Sequence, residues 1–218
     1  MKKKNGFTLI ELLAVIIILG VLMLVAIPSV TSYINNSRKS AYADTAANYI
    51  KGATNLVNEG QKYQFFDENV LYMIPVGHDS TKSCVALESG GQSPYNNEYV
   101  EAYVGVVYDN DKGSYTYFFT SVDGSGQGFE LNSSYDISGT SKGTTKRGAD
   151  LVKAGLRTTY ATLVKCYKGT DTSCKSDAET DFTSGSEIPD MITKVNSIIT
   201  NSDKQVSKVR VIGAKKCQ

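Results

Sequence analysis

One carboxylate, Glu11, interrupts an apolar run that extends from Phe7 to Val30. An ionised side chain inside a bilayer is costly, so carboxylates are rare in segments of this kind. Because Glu11 lies near the start of the run, its side chain could simply snorkel to water. The other explanation is a favourable interaction that offsets the cost of the charge.

Four cysteines could form disulfides or bind a metal. They are Cys84, Cys166, Cys174 and Cys217. An even number of cysteines behind an export-type N-terminus favours two disulfides, and three connectivities are possible. The short loop between Cys166 and Cys174 would leave Cys84 with Cys217, although the sequence does not choose among the pairings. A zinc site with the single histidine, His78, is the weaker alternative because no C-x-x-C pair is present.

Two polar turns, 109–113 and 123–128, weakly resemble calcium-binding EF-hand loops. Neither has an acidic residue at the last loop position, where Thr120 and Ser134 stand, and neither lies between predicted helices. Polar turn chemistry is therefore the simpler interpretation. The sequence also lacks G-x-S-x-G, H-E-x-x-H and phosphate-loop motifs. We predict no catalytic site, no metal site and no cofactor.

The apolar run itself predicts a membrane-spanning helix. At about 1.5 Å per residue it is about 36 Å long, and the hydrocarbon core of a bilayer is about 30 Å thick. Lys2–Lys4 precede the run, so the positive-inside rule favours a cytoplasmic N-terminus. Pro28 lies near the outer end, where it could kink the helix. A secretory signal is the alternative, but no clean cleavage site follows.

Helical periodicity continues beyond the run to about Gly60, which is a suitable C-terminal stop. The apolar positions form one stripe that predicts packing on a sheet: Tyr42, Ala46, Tyr49, Ile50, Ala53, Leu56 and Val57. Later segments alternate as strands do. Tyr99–Tyr108 and Ser114–Thr120 form the clearest hairpin, Phe129–Leu131 and Val206–Ile212 are further strands, and Pro189–Asn201 is a short helix. Abundant Tyr (14) and Gly (19) agree with a β-rich domain.

The stretch Gly6-Phe7-Thr8-Leu9-Ile10-Glu11, with a short basic leader before it and Pro28 after it, resembles the class III signal of type IV pilins and pseudopilins. The resemblance covers about residues 1–55. It implies that a prepilin peptidase cleaves between Gly6 and Phe7 and N-methylates Phe7. In that family the glutamate pairs with the N-terminal amine of its own or a neighbouring subunit. Opposite charges attract strongly where the dielectric is low. The resemblance therefore makes Glu11 and Phe7 the expected assembly pair, and Pro28 is the third expected assembly residue.

The expected fold is α+β, with a long N-terminal helix packed on an antiparallel β-sheet head and a disulfide-stapled C-terminal region. We divide the chain into a leader (1–6), a transmembrane and filament-core helix (7–30), an amphipathic continuation (31–60) and a β-rich head (61–218). The resemblance implies a cytoplasmic-membrane precursor with its head outside, and later an extracellular pilus. Its expected partners are membrane lipid, prepilin peptidase, the inner-membrane assembly platform, other copies of itself and minor pilins.

The expected function is that of a pilus subunit, with adhesion, motility or DNA uptake as the downstream role. A pseudopilin of a type II secretion or competence machine is the first alternative. An exported binding domain on an uncleaved anchor, in which Glu11 is incidental, is the second. The net charge of +1 does not indicate a nucleic-acid-binding body. Basic residues that could still contact DNA or an anionic surface are Lys142, Lys146, Arg147, Lys153, Arg157, Lys204, Lys208, Arg210, Lys215 and Lys216.

Overall fold

The computed structural model describes residues 6–59, 65–76, 92–133, 137, 148–157, 179–182, 188–199 and 205–212. The chain divides into two compact units, Met1–Arg38 and Lys39–Gln218. The first unit contains the apolar half of one long helix. The second contains the rest of that helix, the sheet and a second helix, and it is called the globular unit below.

The long helix, α1, extends over Leu9–Glu59. It begins two residues after the predicted start and ends one residue before Gly60. Pro28 lies inside it without ending it. A proline there cannot donate a hydrogen bond to the preceding turn. Close by, the hydroxyls of Ser29 and Thr31 donate to backbone carbonyls one turn earlier, at 3.3 and 2.9 Å.

The second unit is built on a six-stranded sheet. Its strands are β1 (Val70–Pro75), β2 (Tyr99–Asp109), β3 (Ser114–Asp123), β4 (Gly128–Ser133), β5 (Glu179–Phe182) and β6 (Lys208–Ile212). They lie in the order β4-β3-β2-β1-β6-β5. All neighbours are antiparallel except β1 and β6, which are parallel. The expectation of an antiparallel sheet was therefore wrong at this pair, and the sheet is mixed. Parallel neighbours need a long crossover rather than a hairpin, and β1 and β6 come from distant parts of the chain.

The second half of α1 packs on one face of the sheet, as its stripe predicts. Its buried side chains are Tyr42, Ala43, Ala46, Tyr49, Ala53 and Val57. They share a core with the same-face strand residues Tyr72, Val104, Val106, Phe119 and Phe129. Ile50 and Leu56 are partly buried against that core. The predicted docking of an amphipathic helix on a sheet is confirmed.

A second helix, α2 (Ile188–Ile198), covers the other face of the sheet. Met191 and Val195 are fully buried there, in one cluster with Leu71, Met73, Tyr103 and Phe118. Both faces of the central strands are consequently buried. For this reason every residue of β1 is buried, and β2 is buried without a break from Glu101 to Val107.

The predicted hairpin is confirmed, with Tyr108 opposite Tyr115 and Asp109 opposite Ser114. Its turn ends at Gly113, whose φ of 57° favours glycine. The predicted short helix and last strand are also present, as α2 and β6, with shifted ends. The sequence analysis missed β1 and β5. The four cysteines all lie outside the described residues, as does His78, so the predicted disulfides stay predictions.

Candidate processing and assembly segment

The first part of α1 exposes many large apolar side chains. From Leu9 to Ile34 the Leu, Ile, Val, Met and Tyr side chains are between 43% and 84% exposed. In length and composition this is the one described helix that could cross a membrane. Burying so much apolar surface in lipid or against other helices is strongly favourable.

Helix α1 begins with a capping box formed by Thr8 and Glu11. The backbone N–H and the hydroxyl of Thr8 both donate to Oε2 of Glu11, each at 2.8 Å. The backbone N–H of Glu11 donates to Oγ1 of Thr8 at 3.4 Å. In this reciprocal arrangement, two backbone donors of the first turn that lack intrahelical partners are satisfied locally.

Glu11 is therefore a first-turn residue with a local structural task, and its carboxylate remains in hydrogen-bonding contact at an exposed helix end. A negative charge there is also favoured by the helix dipole. Sequence reasoning missed Thr8 as its partner. The signal was available in Thr8-Leu9-Ile10-Glu11, because a threonine followed three residues later by glutamate before an apolar run predicts a capping box.

The other expected site residues lie at different points along the helix. Gly6 and Phe7 precede its first residue and have no helical structure. Phe7 is 90% exposed, so the Gly6–Phe7 peptide bond lies in an exposed, non-helical segment beside the capping box. Pro28 lies about five turns away within α1. The structure thus brings Phe7, Thr8 and Glu11 together at one helix end and leaves Pro28 apart.

The polar turns use their carboxylates to hold the backbone. Oδ1 of Asp123 accepts hydrogen bonds from the backbone N–H of Ser125 and of Gln127, both at 2.9 Å, and from the Ser125 hydroxyl at 2.7 Å. Its Oδ2 accepts from the hydroxyl of Ser93. Asp109 accepts from the backbone N–H of Lys112 in the hairpin turn. Within the described residues, no group of three or more His, Cys, Asp or Glu side chains could hold a metal ion.

Two of the basic residues that could contact DNA already carry acidic partners. Lys153 pairs with Glu130 at 2.6 Å, and Arg210 pairs with Asp67 at 2.6 Å. The Arg210 guanidinium also lies 5.6 Å from the centre of the Tyr72 ring. Arg157 and Lys208 are described too, and the other six basic residues lie outside the described ranges. These two ion pairs reduce the positive charge available to phosphates.

Residues 1–27 match the family model of the prokaryotic N-terminal methylation motif. This motif is the signal of type IV pilins and pseudopilins, which confirms the resemblance in the first residues of the chain. It points to a structural, non-enzymatic protein. No curated protein and no solved structure matches the chain.

Proposed function

We propose that this protein is a structural subunit of a type IV pilus, polymerised through the apolar half of α1. The observation that carries the proposal is the coincidence of the methylation motif at residues 1–27 with the exposed apolar segment of α1. A segment of this length and exposure needs lipid before assembly and neighbouring helices afterwards. The subunit would be a membrane precursor first and a component of a surface filament later.

Processing would take place at the Gly6–Phe7 bond. A prepilin peptidase would remove residues 1–6 and methylate the new amine of Phe7. The exposed, non-helical setting of this bond supports the proposal, because a protease needs an extended and accessible substrate segment. Cleavage also removes Lys2–Lys4, so the amine of Phe7 becomes the positive charge nearest to Glu11.

In the filament, Glu11 would pair with a Phe7 amine, and other copies, minor pilins and the assembly platform would be the partners. The globular unit would supply the surface for adhesion, motility or DNA uptake. A pseudopilin of a type II secretion or competence machine is the second candidate, because the same motif is the signal of both classes. Both candidates require the same processing.

N-terminal mass spectrometry of the chain from membrane and sheared-surface fractions tests the proposal. The expected chain begins at Phe7 and carries one added methyl group. Gly6→Val should leave the chain uncleaved, whereas Gly20→Val is the matched control. A Cβ at Gly20 meets no atom within 4 Å, so this control should be processed normally.

A wild-type chain that begins at Met1 would indicate a simple anchor, and one that begins near 29–33 would indicate a secreted domain. Either result contradicts the proposal. Electron microscopy of surface filaments separates assembly from processing. Glu11→Leu should abolish filaments, because the substitution keeps the helix apolar but removes the charge partner. An anchor or signal peptide would tolerate the same change.

A further inference from the structure

We infer that the globular unit binds a neutral saccharide on an aromatic patch formed by Phe66, Tyr108 and Tyr115, beside the β2–β3 turn. This inference deepens the proposed surface role of that unit, on which it rests for display outside the cell. Its starting point is an exposed ring. Among the described residues of the globular unit, Phe66 is the one large hydrophobic side chain that is exposed, at 57%. Exposed apolar patches of this kind mark interaction sites.

The three rings of the patch contact one another. Tyr108 and Tyr115 lie opposite each other at the end of the hairpin, and their ring centres are 5.1 Å apart. Phe66 packs against Tyr108 at 6.0 Å with an angle of 86° between the rings. Both tyrosines are half-buried, and Tyr115 is only partly packed against the core that α1 shares with the sheet. The patch therefore extends from the edge of that core to solvent.

Planar polar side chains lie beside the rings and are held in place by the turn. Nδ2 of Asn110 donates a hydrogen bond to Oε1 of Glu68. Asp109 accepts from the backbone N–H of Lys112 at 3.3 Å, and the turn closes at Gly113 in the left-handed region, with a φ of 57°. Groups that are ordered before a ligand arrives lower the ordering cost of binding.

The charge around the patch favours an uncharged partner. Segments 65–69 and 108–115 contain four carboxylates and one lysine, so a polyanion such as DNA would be repelled. Two of the carboxylates pair with cations of the same chain, Arg210 and Lys112, and a third, Glu68, accepts a hydrogen bond from an amide. These contacts weaken the attraction for a cationic partner.

The size of the patch favours a small ligand over a protein. An aromatic side chain has about 150–250 Å² of surface, and two of the three rings are half-buried, whereas a stable protein interface needs about 800 Å² from each partner. A sugar ring has C–H groups that pack on the negative face of an aromatic ring. Its hydroxyls can bond to carboxylates and amides such as Glu68 and Asn110. A neutral saccharide therefore matches the rings, the polar groups and the charge together.

Binding of the purified full chain to immobilised oligosaccharides tests the inference. The probes are neutral hexasaccharides of glucose, mannose and N-acetylglucosamine, with heparin and oligolysine as charged comparisons, in a detergent that has no sugar headgroup. Phe66→Ala should weaken binding to the neutral probes about tenfold or more, because it removes most of the exposed apolar surface. Phe66→Tyr keeps a ring and should stay within about threefold of the wild type. Near-ultraviolet circular dichroism verifies that each variant is folded.

Two polar substitutions distinguish the partner's chemistry. Asn110→Ala should weaken saccharide binding, whereas Asn132→Ala is the matched control, since its amide donates to the Glu130 carbonyl on the far strand β4. Glu68→Gln keeps an acceptor for a hydroxyl but removes the charge. Binding to a neutral saccharide should survive this change and should be insensitive to salt.

Equal binding of Phe66→Ala and wild-type chains would overturn the site, and failure to bind any of the neutral probes would overturn the saccharide. Binding to oligolysine that is lost in salt or in Glu68→Gln would assign the patch to a cationic partner instead. The binding test uses the chain without filaments. Saccharide binding by a chain that is never cleaved at Phe7 would therefore contradict the proposed pilus subunit but not the saccharide site.

Discussion

Two buried tyrosines in the core between α1 and the sheet allow a direct measurement of hydrogen bonding. The rings of Tyr42 and Tyr99 lie 5.9 Å apart in an edge-to-face arrangement. The Tyr42 hydroxyl shares a hydrogen bond with Ser121 Oγ at 3.2 Å and donates to the Gln127 carbonyl at 3.3 Å. The Tyr99 hydroxyl is buried and has no hydrogen-bond partner among the described residues. Replacing either residue with Phe removes a hydroxyl from the same core, but only the Tyr42 hydroxyl has hydrogen-bond partners among the described residues.

The two substitutions should have opposite effects on the free energy of unfolding. Tyr42→Phe removes long hydrogen bonds, and the Gln127 carbonyl keeps its bond from the Asp123 N–H at 2.9 Å. The loss should therefore be about 1 kcal/mol, the typical net value of such a bond. Tyr99→Phe removes a buried polar atom that has no partner at hydrogen-bonding distance within the described ranges. It should be neutral or stabilise the head by up to about 1 kcal/mol.

Chemical denaturation of the full chain in mild detergent, followed by near-ultraviolet circular dichroism, measures both values. A difference of about 2 kcal/mol between the variants corresponds to about 4–8 °C in Tm for a unit of this size. Equal changes of the same sign would refute the reasoning, because they would mean that the two hydroxyls have equivalent surroundings. A large loss for Tyr99→Phe would also refute it.

Three further predictions follow from the same unit. Gly128→Ala should destabilise the globular unit by about 3 kcal/mol in denaturant titrations, because a Cβ there would lie 1.8 Å from the Ser121 carbonyl oxygen. Gly124→Ala is the control. Its Cβ would lie 3.8 Å from the nearest atom, so this substitution should be tolerated. Arg210→Met should lower the free energy of unfolding by about 1–2 kcal/mol, and Lys153→Met should lower it by less than about 0.5 kcal/mol. Both ion pairs measure 2.6 Å, but only the Arg210 pair is partly buried and adjoins an aromatic ring. Equal losses for the two variants would contradict this reasoning. Burial raises the pKa of Tyr42 and Tyr99 above the ordinary value of 10.0. Their contribution to stability is therefore complete below pH 10 and is lost as the pH rises further. The loss should be about 1.4 kcal/mol per pH unit for each residue. Thermal melts between pH 9 and 12 should show this loss, and Tyr99→Phe should reduce it; an unchanged slope would contradict the assignment.

The sequence pattern was sufficient to predict the buried face of α1 and the β2–β3 hairpin. The stripe containing Tyr42, Ala46 and Tyr49 repeats at the helical spacing, and those residues are the buried face of α1. The β2–β3 hairpin has polar turn residues between two strand segments, and the two strands pair around that turn as predicted. In both cases neighbours in sequence are also neighbours in space, so the pattern contains the necessary information.

The parts that were missed depend on distant contacts. Strand β1 is a short apolar run that ends in a proline and does not alternate, because α1 covers one face of the sheet and α2 the other. In its parallel pairing with β6, Val70 lies opposite Lys208, and most of the sequence of the globular unit separates these two residues. No periodicity within either segment specifies that neighbour. A sheet that is predicted from hairpins alone will therefore be predicted as antiparallel.

The carboxylate of Glu11 has two explanations, one local and one that depends on assembly. A pilin-type signal explains the charge by a partner that the isolated chain lacks, whereas the capping box explains it by Thr8 within the same turn. These explanations compete only if each needs the whole carboxylate. Both bonds from Thr8 end on Oε2, and a carboxylate can accept several hydrogen bonds at once, so the cap is compatible with the proposed pairing of Glu11 with a Phe7 amine. In the proposed pilus subunit, the cap would lower the cost of the charge in lipid before assembly, and pairing in the filament would lower it further.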